Sequence, residues 1–346
     1  MSVLSGVSDF FGLEIGAAAL RLVELKGTGA TKVLAKYAYM PLEGNIALSD
    51  AKADQQKLMQ ILAQLIDQAK IGSKNVAVNI PSSKVFSTVA DVERLAQADL
   101  AKAIHYQADA LIPTPLAESK IDWALLGDSP ADKNKVEILL SSVPNKFIEE
   151  RLDLLESIGL NVIAFEPDYL ALVRALVPEG AQGAQMVIDI GQKSTDLVML
   201  LDGTPRLLRS IPTGVEAIFR AAAQNLSIDD KQAEQFVLRF GLSRDKLEGQ
   251  VVQAITGSVD TLVSEFDKSI KFFATRYAGT KLSKIIVSGG AATIPEFPLY
   301  LANKFGVDIE IGNSWRGVSY SSDRQNELSA VSNQFAVAVG LAERQE

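Results

Sequence analysis

One short pattern occurs twice at a constant offset. Gly12-Leu13-Glu14-Ile15-Gly16 returns 175 positions later as Val187-Ile188-Asp189-Ile190-Gly191, and the same step carries Leu22-Val23 onto Leu197-Val198 and Leu25 onto Leu200. Each copy reads as an apolar strand that ends in a carboxylate and a glycine, followed by a second apolar strand. A glycine there permits a tight turn and bares backbone N–H groups, which form a concavity suited to phosphate. The carboxylate two positions earlier sits at the strand end, where it can hold a hydrated magnesium ion against that phosphate. A single copy reads more simply as a buried strand entering a turn. Duplication at constant offset favours two facing hairpins that clamp one nucleotide.

A chain of 346 residues can bury more than one core, so a divided molecule is expected. The 42 acidic and 34 basic residues leave a formal charge of -8 with no basic cluster, which argues against a nucleic-acid partner. The absence of cysteine excludes disulfides, thiolate metal sites and thiol nucleophiles, and it fits a reducing compartment. His105 is the single histidine, so His-rich metal sites are excluded and a Ser-His triad is disfavoured. It falls in the helical run from Leu100 to Leu111 and reads as a partly exposed structural residue. Mean hydropathy is slightly positive, yet no apolar run reaches the roughly 18 residues that a membrane span needs. The segment from Met1 to Phe11 lacks a signal peptide's basic region and cleavage site. The expectation is a cytoplasmic protein whose membrane association is indirect.

Along the chain, residues 10 to 40 alternate as three strands, broken at Gly16 and again around Gly27 and Gly29. A helix follows with Leu58, Ile61, Leu62, Leu65, Ile66 and Ala69 on one face, then a buried strand from Val76 to Ile80, stopped by Pro81. Between Ser83 and Leu160 lies a small α+β unit. It comprises a strand at Val85 to Val89 and a helix striped by Leu100, Ile104, Ala108 and Leu111. Strands at Ile121 to Leu126 and Val136 to Ser142 follow, then a helix carrying Ile148, Leu152, Leu155 and Ile158. Asn145 is the expected N-cap of that helix and Gly159 its stop. A strand from Val162 leads through Glu166-Pro167 into a helix. After the second hairpin and a strand from Arg206 to Ile211, residues 214 to 278 read as helical, punctuated at Gly241 and Gly257. A strand from Lys284 to Ser288 ends in Gly289-Gly290, followed by a helix, a strand from Val307 to Ile311, and the apolar run Ala336 to Ala342.

The two phosphate-type hairpins, the acidic residue before Pro167 and the strand ending in Gly289-Gly290 resemble the superfamily of actin, heat-shock chaperones and sugar kinases. Within it, further motifs resemble the PilM family, cytoplasmic actin-like proteins of type IV pilus assembly that are similar in turn to the FtsA division proteins. These motifs are Ala103 to Trp123 with Ile112-Pro113 and Ile121-Asp122-Trp123, Phe165-Glu166-Pro167 with Ala171-Leu172-Val173-Arg174, and Ile211-Pro212-Thr213-Gly214. Ala233-Glu234 with Phe240-Gly241-Leu242 and Val339-Gly340-Leu341-Ala342 complete the set, which covers nearly the whole chain. The resemblance implies a bilobed α/β, actin-like fold. In it, residues 1–82 and 161–182 form subdomain 1A, 83–160 an inserted 1C-type subdomain, 183–213 and 280–346 subdomain 2A, and 214–279 subdomain 2B.

The resemblance also implies ATP with magnesium as cofactor. Glu14 and Asp189 would orient magnesium-bound water, and Gly16, Ala17 and Gly191 would take the phosphates. Thr195 reads either as an added hydroxyl donor or as a packing residue. Glu166 occupies the superfamily's water-orienting position and reads equally as an ordinary helix start. Gly214, Gly289 and Gly290 would approach the ribose and adenine. Glu265 and Lys268 would flank the adenine or form a plain surface pair. The family usually carries Asp in the first motif and small hydroxyl residues after its glycine. Here Glu14 and Ala17-Ala18-Ala19 stand there, so binding is better supported than turnover.

The implied partner is the N-terminal cytoplasmic tail of a PilN-type inner-membrane protein, which would recruit the chain to the inner face of the membrane. It would dock between the inserted unit and the first subdomain, and the family leaves room for self-assembly. Two alternatives are an FtsA-like division protein and a sugar-kinase-type phosphotransferase. Against the first, the chain ends in Glu343-Arg344-Gln345-Glu346 rather than an amphipathic membrane helix; against the second, no substrate-binding Asp or His constellation stands out.

Overall fold

The structure is a computed structural model that describes residues 9–27 and 32–345; Gly29, Glu346 and the first eight residues lie outside it. The chain opens as a meander of β1 (Phe11–Ile15), β2 (Ala19–Lys26) and β3 (Lys32–Pro41). All five residues of β1 are buried, which identifies it as a central strand covered on both faces. Helix α1 (Lys52–Ala69) buries Leu58, Leu62 and Leu65 and ends at Lys70 in the left-handed region, φ 53°. Strand β4 (Asn75–Ile80) then runs parallel beside β1.

The next segment holds β5 (Phe86–Glu93), α2 (Gln97–Leu111), β6 (Ser119–Asp128), β7 (Lys135–Pro144) and α3 (Asn145–Ser157). Its three strands form a separate antiparallel sheet in the order β5-β7-β6. One face of that sheet, carrying Val92, Val136, Ile138 and Leu140, packs on Leu100, Ile104 and Ala108 of α2. Helix α3 does not complete this unit. Its Leu154 and Leu155 join Leu58, Leu62 and Leu65 in the core of the first lobe. Asn145 is the first helical residue rather than the N-cap, a position held by Pro144, and its side-chain amide donates to the Ala117 carbonyl at 2.9 Å. His105 lies exposed on α2.

The first lobe resumes with β8 (Asn161–Pro167) and α4 (Asp168–Leu176). The second lobe repeats the plan: the meander β9 (Ala184–Ile190), β10 (Thr195–Leu201) and β11 (Thr204–Ile211), then helices α5 (Val215–Leu226), α6 (Asp230–Phe240) and α7 (Gln250–Arg276). Helix α7 passes through Gly257 without interruption, contrary to the expected break. Strand β12 (Leu282–Gly289), helix α8 (Phe297–Phe305) and β13 (Asp308–Ile311) close this sheet, and the chain ends in β14 (Val318–Ser319), α9 (Gln325–Val331) and α10 (Ala336–Ala342). The sheet orders are β14-β3-β2-β1-β4-β8 and β11-β10-β9-β12-β13. Without β14 the two orders correspond strand for strand, so the duplicated motif marks a duplicated α/β core. No helix among the described residues is long and apolar enough to cross a membrane.

The C-terminal segment departs from the expected division, which left 280–346 with the second lobe. Strand β14 pairs with β3, Trp315 packs edge-on to Tyr37 at 5.9 Å, and all seven residues of α10 are buried in a core shared with α4. A helix that is apolar all round needs cover on every side, and the slot between α4 and β1 supplies it. At Gly340 a β-carbon would lie 2.0 Å from the Ala171 carbonyl oxygen, so only glycine allows the two helices to approach this closely.

Candidate nucleotide site

Both hairpin turns close with the same bond. The Gly16 amide donates to the Ala19 carbonyl at 3.0 Å, and the Gly191 amide to that of Ser194 at 2.9 Å, again at the 175-residue offset. Facing each other, the turns border a cavity of about 330 Å³, within the size range of small-ligand sites. On the strands below, Glu14 stands opposite Arg21 and Asp189 opposite Asp196. The repeat therefore places an arginine in the first lobe where the second carries an aspartate.

Five carboxylates line the cavity: Glu14, Asp168, Asp189, Asp196 and the exposed Glu234 of α6. Asp168 is the first residue of α4 and accepts from Asn79 Nδ2 at 2.9 Å and the Ser82 amide at 3.3 Å. Pairing of β1 with β4 stops at Leu13 and Val78, and Asn79 Oδ1 takes over by accepting the Ile15 amide at 2.7 Å. Asn79 thus ties the first hairpin to Asp168. Arg21 Nη1 donates to Glu14 Oε1 at 2.6 Å. Glu14 Oε2 and Asp196 Oδ1 are buried with no partner.

Burial raises the carboxyl of Glu14 to about 7, with the charge of Asp189 adding to the shift and Arg21 opposing it. Burial also raises Asp196 to about 7, Asp189 again contributing, and lifts Asp189 itself against the hydrogen bond from Ser288. Asp168 is pushed well above the carboxylate range by burial and then by the charge of Asp196. Crowded acids with unpartnered oxygens form a site that favours a cation. No three acidic or histidine side chains among the described residues come close enough for a direct metal shell. A magnesium ion would therefore keep its water and be held through it.

The far wall begins at the end of β12. Gly289 has φ +81°, and a β-carbon there would meet the Ile190 carbonyl oxygen at 2.4 Å. The Gly289 amide donates to the Asn333 carbonyl at 2.8 Å, and Asn333 Nδ2 returns a bond to the Gly289 carbonyl at 2.8 Å. Beyond Gly290, the side chains of Val215, Phe219 and Leu238 give the cavity an apolar end. Of the residues proposed from sequence, Glu14, Gly16, Ala17, Asp189, Gly191, Gly289 and Gly290 line the cavity.

The others do not line it. The Thr195 hydroxyl is buried and donates to the Thr213 carbonyl at 2.7 Å, so it braces the sheet. Gly214 sits behind the second turn, where the amides of Val215 and Glu216 donate to the carbonyls of Gly191 and Gln192 at 2.9 and 3.0 Å. Glu265 pairs with Arg209 at 3.0 Å and Lys268 at 2.5 Å. Glu166, 1 % exposed, is held by Arg174 at 2.5 Å and Arg344 at 2.6 Å. Its carboxylate anchors α10 instead of facing the cavity, and the carboxylate that lines the cavity here is that of Asp168, two residues on. Sequence reasoning missed Arg21, Asn79, Asp168 and Asp196. The repeat offset pairs Arg21 with Asp196 and was the available signal for those two.

Among solved structures, the chain is similar to the PilM-PilN type IV pilus biogenesis complex, at 24% identity and TM-score 0.81 over 96% of this chain and 97% of that one. It is also similar to the ethanolamine utilization protein EutJ from Carboxydothermus hydrogenoformans, at 14% identity and TM-score 0.59, covering 96% and 88%. A third is MreB 5 of Spiroplasma citri bound to AMPPNP, at 13% identity and TM-score 0.52, covering 96% and 95%. These likenesses agree with the expected bilobed actin-like fold. Residues 12–346 match the family described as type IV pilus assembly protein PilM, and with that match over nearly its full length the chain belongs to the PilM family.

Proposed function

We propose that the protein binds Mg-ATP between its two hairpins and works as an adaptor of type IV pilus assembly on the cytoplasmic side of the inner membrane. Its partner would be the N-terminal cytoplasmic tail of a PilN-type protein. The observation that carries the nucleotide reading is the facing pair of identically bonded turns beside the carboxylates of Glu14, Asp168, Asp189 and Asp196. MreB 5, similar in fold, was solved with AMPPNP bound, which supports the same use of the cleft. Glu14 and Asp189 would orient the ion's water, and the turn amides would take the phosphates. Bound, the ion would supply charge neutralisation for the phosphates. Glu14 reaches about 1.5 Å farther than an aspartate would, and a misplacement of that order costs on the order of a hundredfold in rate, so binding with slow turnover is the expected behaviour.

For the partner, a second cavity of about 540 Å³ lies between the start of β5, α4 and β11. Val85, Phe86, Leu208 and Pro212 give it an apolar lining. At its wall the Tyr169 hydroxyl bonds the hydroxyls of Ser87 at 2.6 Å and Ser141 at 2.9 Å. An extended tail would fit apolar side chains here, with polar groups fixing its register. The family match and the similarity to a PilM-PilN complex favour this reading over the division-protein and sugar-kinase alternatives.

Calorimetry with Mg-ATP on wild type and Asp189→Ala tests the first site. Wild type should bind, Asp189→Ala more weakly, and no binding at millimolar nucleotide would end the nucleotide reading. Fluorescence anisotropy with a labelled synthetic tail tests the second. Leu208→Asp, shown to unfold at the wild-type temperature, should lose the tail. A point change is preferable to excising the inserted unit, since α3 belongs to the first lobe's core.

A further inference from the structure

Two cationic side chains, Arg21 and Lys193, line the nucleotide cavity against its five carboxylates. A terminal phosphate would add roughly two negative charges to that surplus, so its acceptance depends on a cation free to meet it. Arg21 is already engaged. Its Nη1 donates to Glu14 Oε1 at 2.6 Å, on the strands below the first turn.

Lys193 is placed differently. It sits at the tip of the second turn, between Gly191 and Ser194, whose amide-to-carbonyl bond of 2.9 Å closes that turn. The side chain is exposed, and its partner is a neutral oxygen: Nζ donates across the cleft to Asn45 Oδ1 of the first lobe at 3.2 Å. No carboxylate among the described residues pairs with it, in contrast to Arg21. An ammonium has three donors, so the bond to Asn45 leaves two for a ligand, and the flexible four-carbon stem can bring them to it.

The lining residues also fix where along the cavity the lysine stands. Lys193 borders the second cavity as well, together with Leu48 and Ser82, whereas Val215, Phe219 and Gly290 border the first alone. The ammonium is therefore at the end away from the apolar wall that suits a base. A nucleotide with its base on that wall and its first two phosphates against the turn amides directs its third phosphate toward Lys193. We propose that Lys193 selects a nucleoside triphosphate over a diphosphate by donating to the terminal phosphate. The inference rests on the nucleotide reading above. Bonded to Asn45 and to the phosphate together, the ammonium ties the end of the triphosphate to both lobes, and a diphosphate stops short of it.

The test measures the affinities of AMPPNP and of ADP, each with magnesium, by calorimetry on the full chain and on Lys193→Met, which keeps the apolar stem. Unfolding temperatures of the two proteins should agree, since the side chain is exposed and its bond is to a neutral partner. Loss of a hydrogen bond to a charged group should weaken AMPPNP about tenfold and leave ADP nearly unchanged. Equal weakening of both nucleotides would show that Lys193 only holds the lobes together through Asn45, and it overturns the proposal. Unchanged AMPPNP affinity in the variant overturns it too, while leaving the nucleotide reading standing. If wild type binds neither nucleotide at millimolar concentration, the nucleotide reading and this inference fall together.

Discussion

Replacing Glu14 by glutamine should stabilise the protein at alkaline pH, the reverse of what an ion pair at 2.6 Å with Arg21 suggests at first sight. Burial, reinforced by Asp189, outweighs Arg21 and holds the folded-state carboxyl at about 7 against an ordinary 4.5. A carboxyl raised on folding keeps its proton longer in the native state than in the unfolded one. Its contribution is therefore full below pH 4.5, is lost as pH rises toward 7, and is gone above that. At about 1.4 kcal/mol per pH unit, that interval corresponds to about 3 kcal/mol. Glutamine keeps the shape and can still accept from Arg21, but it has no proton to lose. At pH 8 the variant should be about 3 kcal/mol more stable than wild type, and below about pH 5 the two should converge. The comparison is made by urea unfolding from pH 5 to 8 in a Trp123→Phe background. The remaining Trp315, 2 % exposed and packed on Phe335 in the first lobe, then reports on the lobe that holds Glu14. Equal stability at pH 8, or a more stable wild type, would show that Arg21 outweighs burial and that the cavity does not hold its carboxylates under electrostatic strain.

Two other buried acids give different expectations. Glu166→Gln should lower stability by about 2 kcal/mol by loosening Arg174 and Arg344, with nucleotide affinity of the folded protein unchanged. Lost ATP turnover in that variant at unaltered stability would instead restore Glu166 to a water-orienting role. Glu137, 1 % exposed on β7, accepts from Arg206 at 2.5 Å, Arg276 at 2.7 Å and Tyr277 at 2.8 Å, which clamps the inserted sheet to the second lobe. Glu137→Ala leaves Arg206 without its carboxylate and Arg276 with Asp91 alone, so a loss of about 3 kcal/mol is expected, with faster hydrogen exchange in β5 and β7. A loss below about 1 kcal/mol would mean that the clamp is solvated and that the inserted unit is held by its apolar face.

What the sequence determined by itself is the repeating unit. Strand alternation, a glycine after a carboxylate and a fixed offset are local patterns, and they identified both hairpins, the Gly289-Gly290 end and most element types before any contact was known. Family resemblance, spread over motifs along the whole chain, pointed to the same fold. Only the tertiary structure decided which acids meet. Glu166 and Asp168 are two residues apart across a strand-to-helix junction, and that step turns one carboxylate onto Arg344 and α10 and the other into the cavity. Likewise, the apolar pattern of α10 required burial but carried no address, because periodicity says which face is covered and not by what. Its place beside α4 follows from a close approach at Gly340 to a residue more than 160 positions earlier, a distance over which no local rule acts. Between the two readings the sequence left open for Thr195, Glu265 and Lys268, the choice also lies in tertiary contacts, which give Thr195 the Thr213 carbonyl and Glu265 the side chains of Arg209 and Lys268.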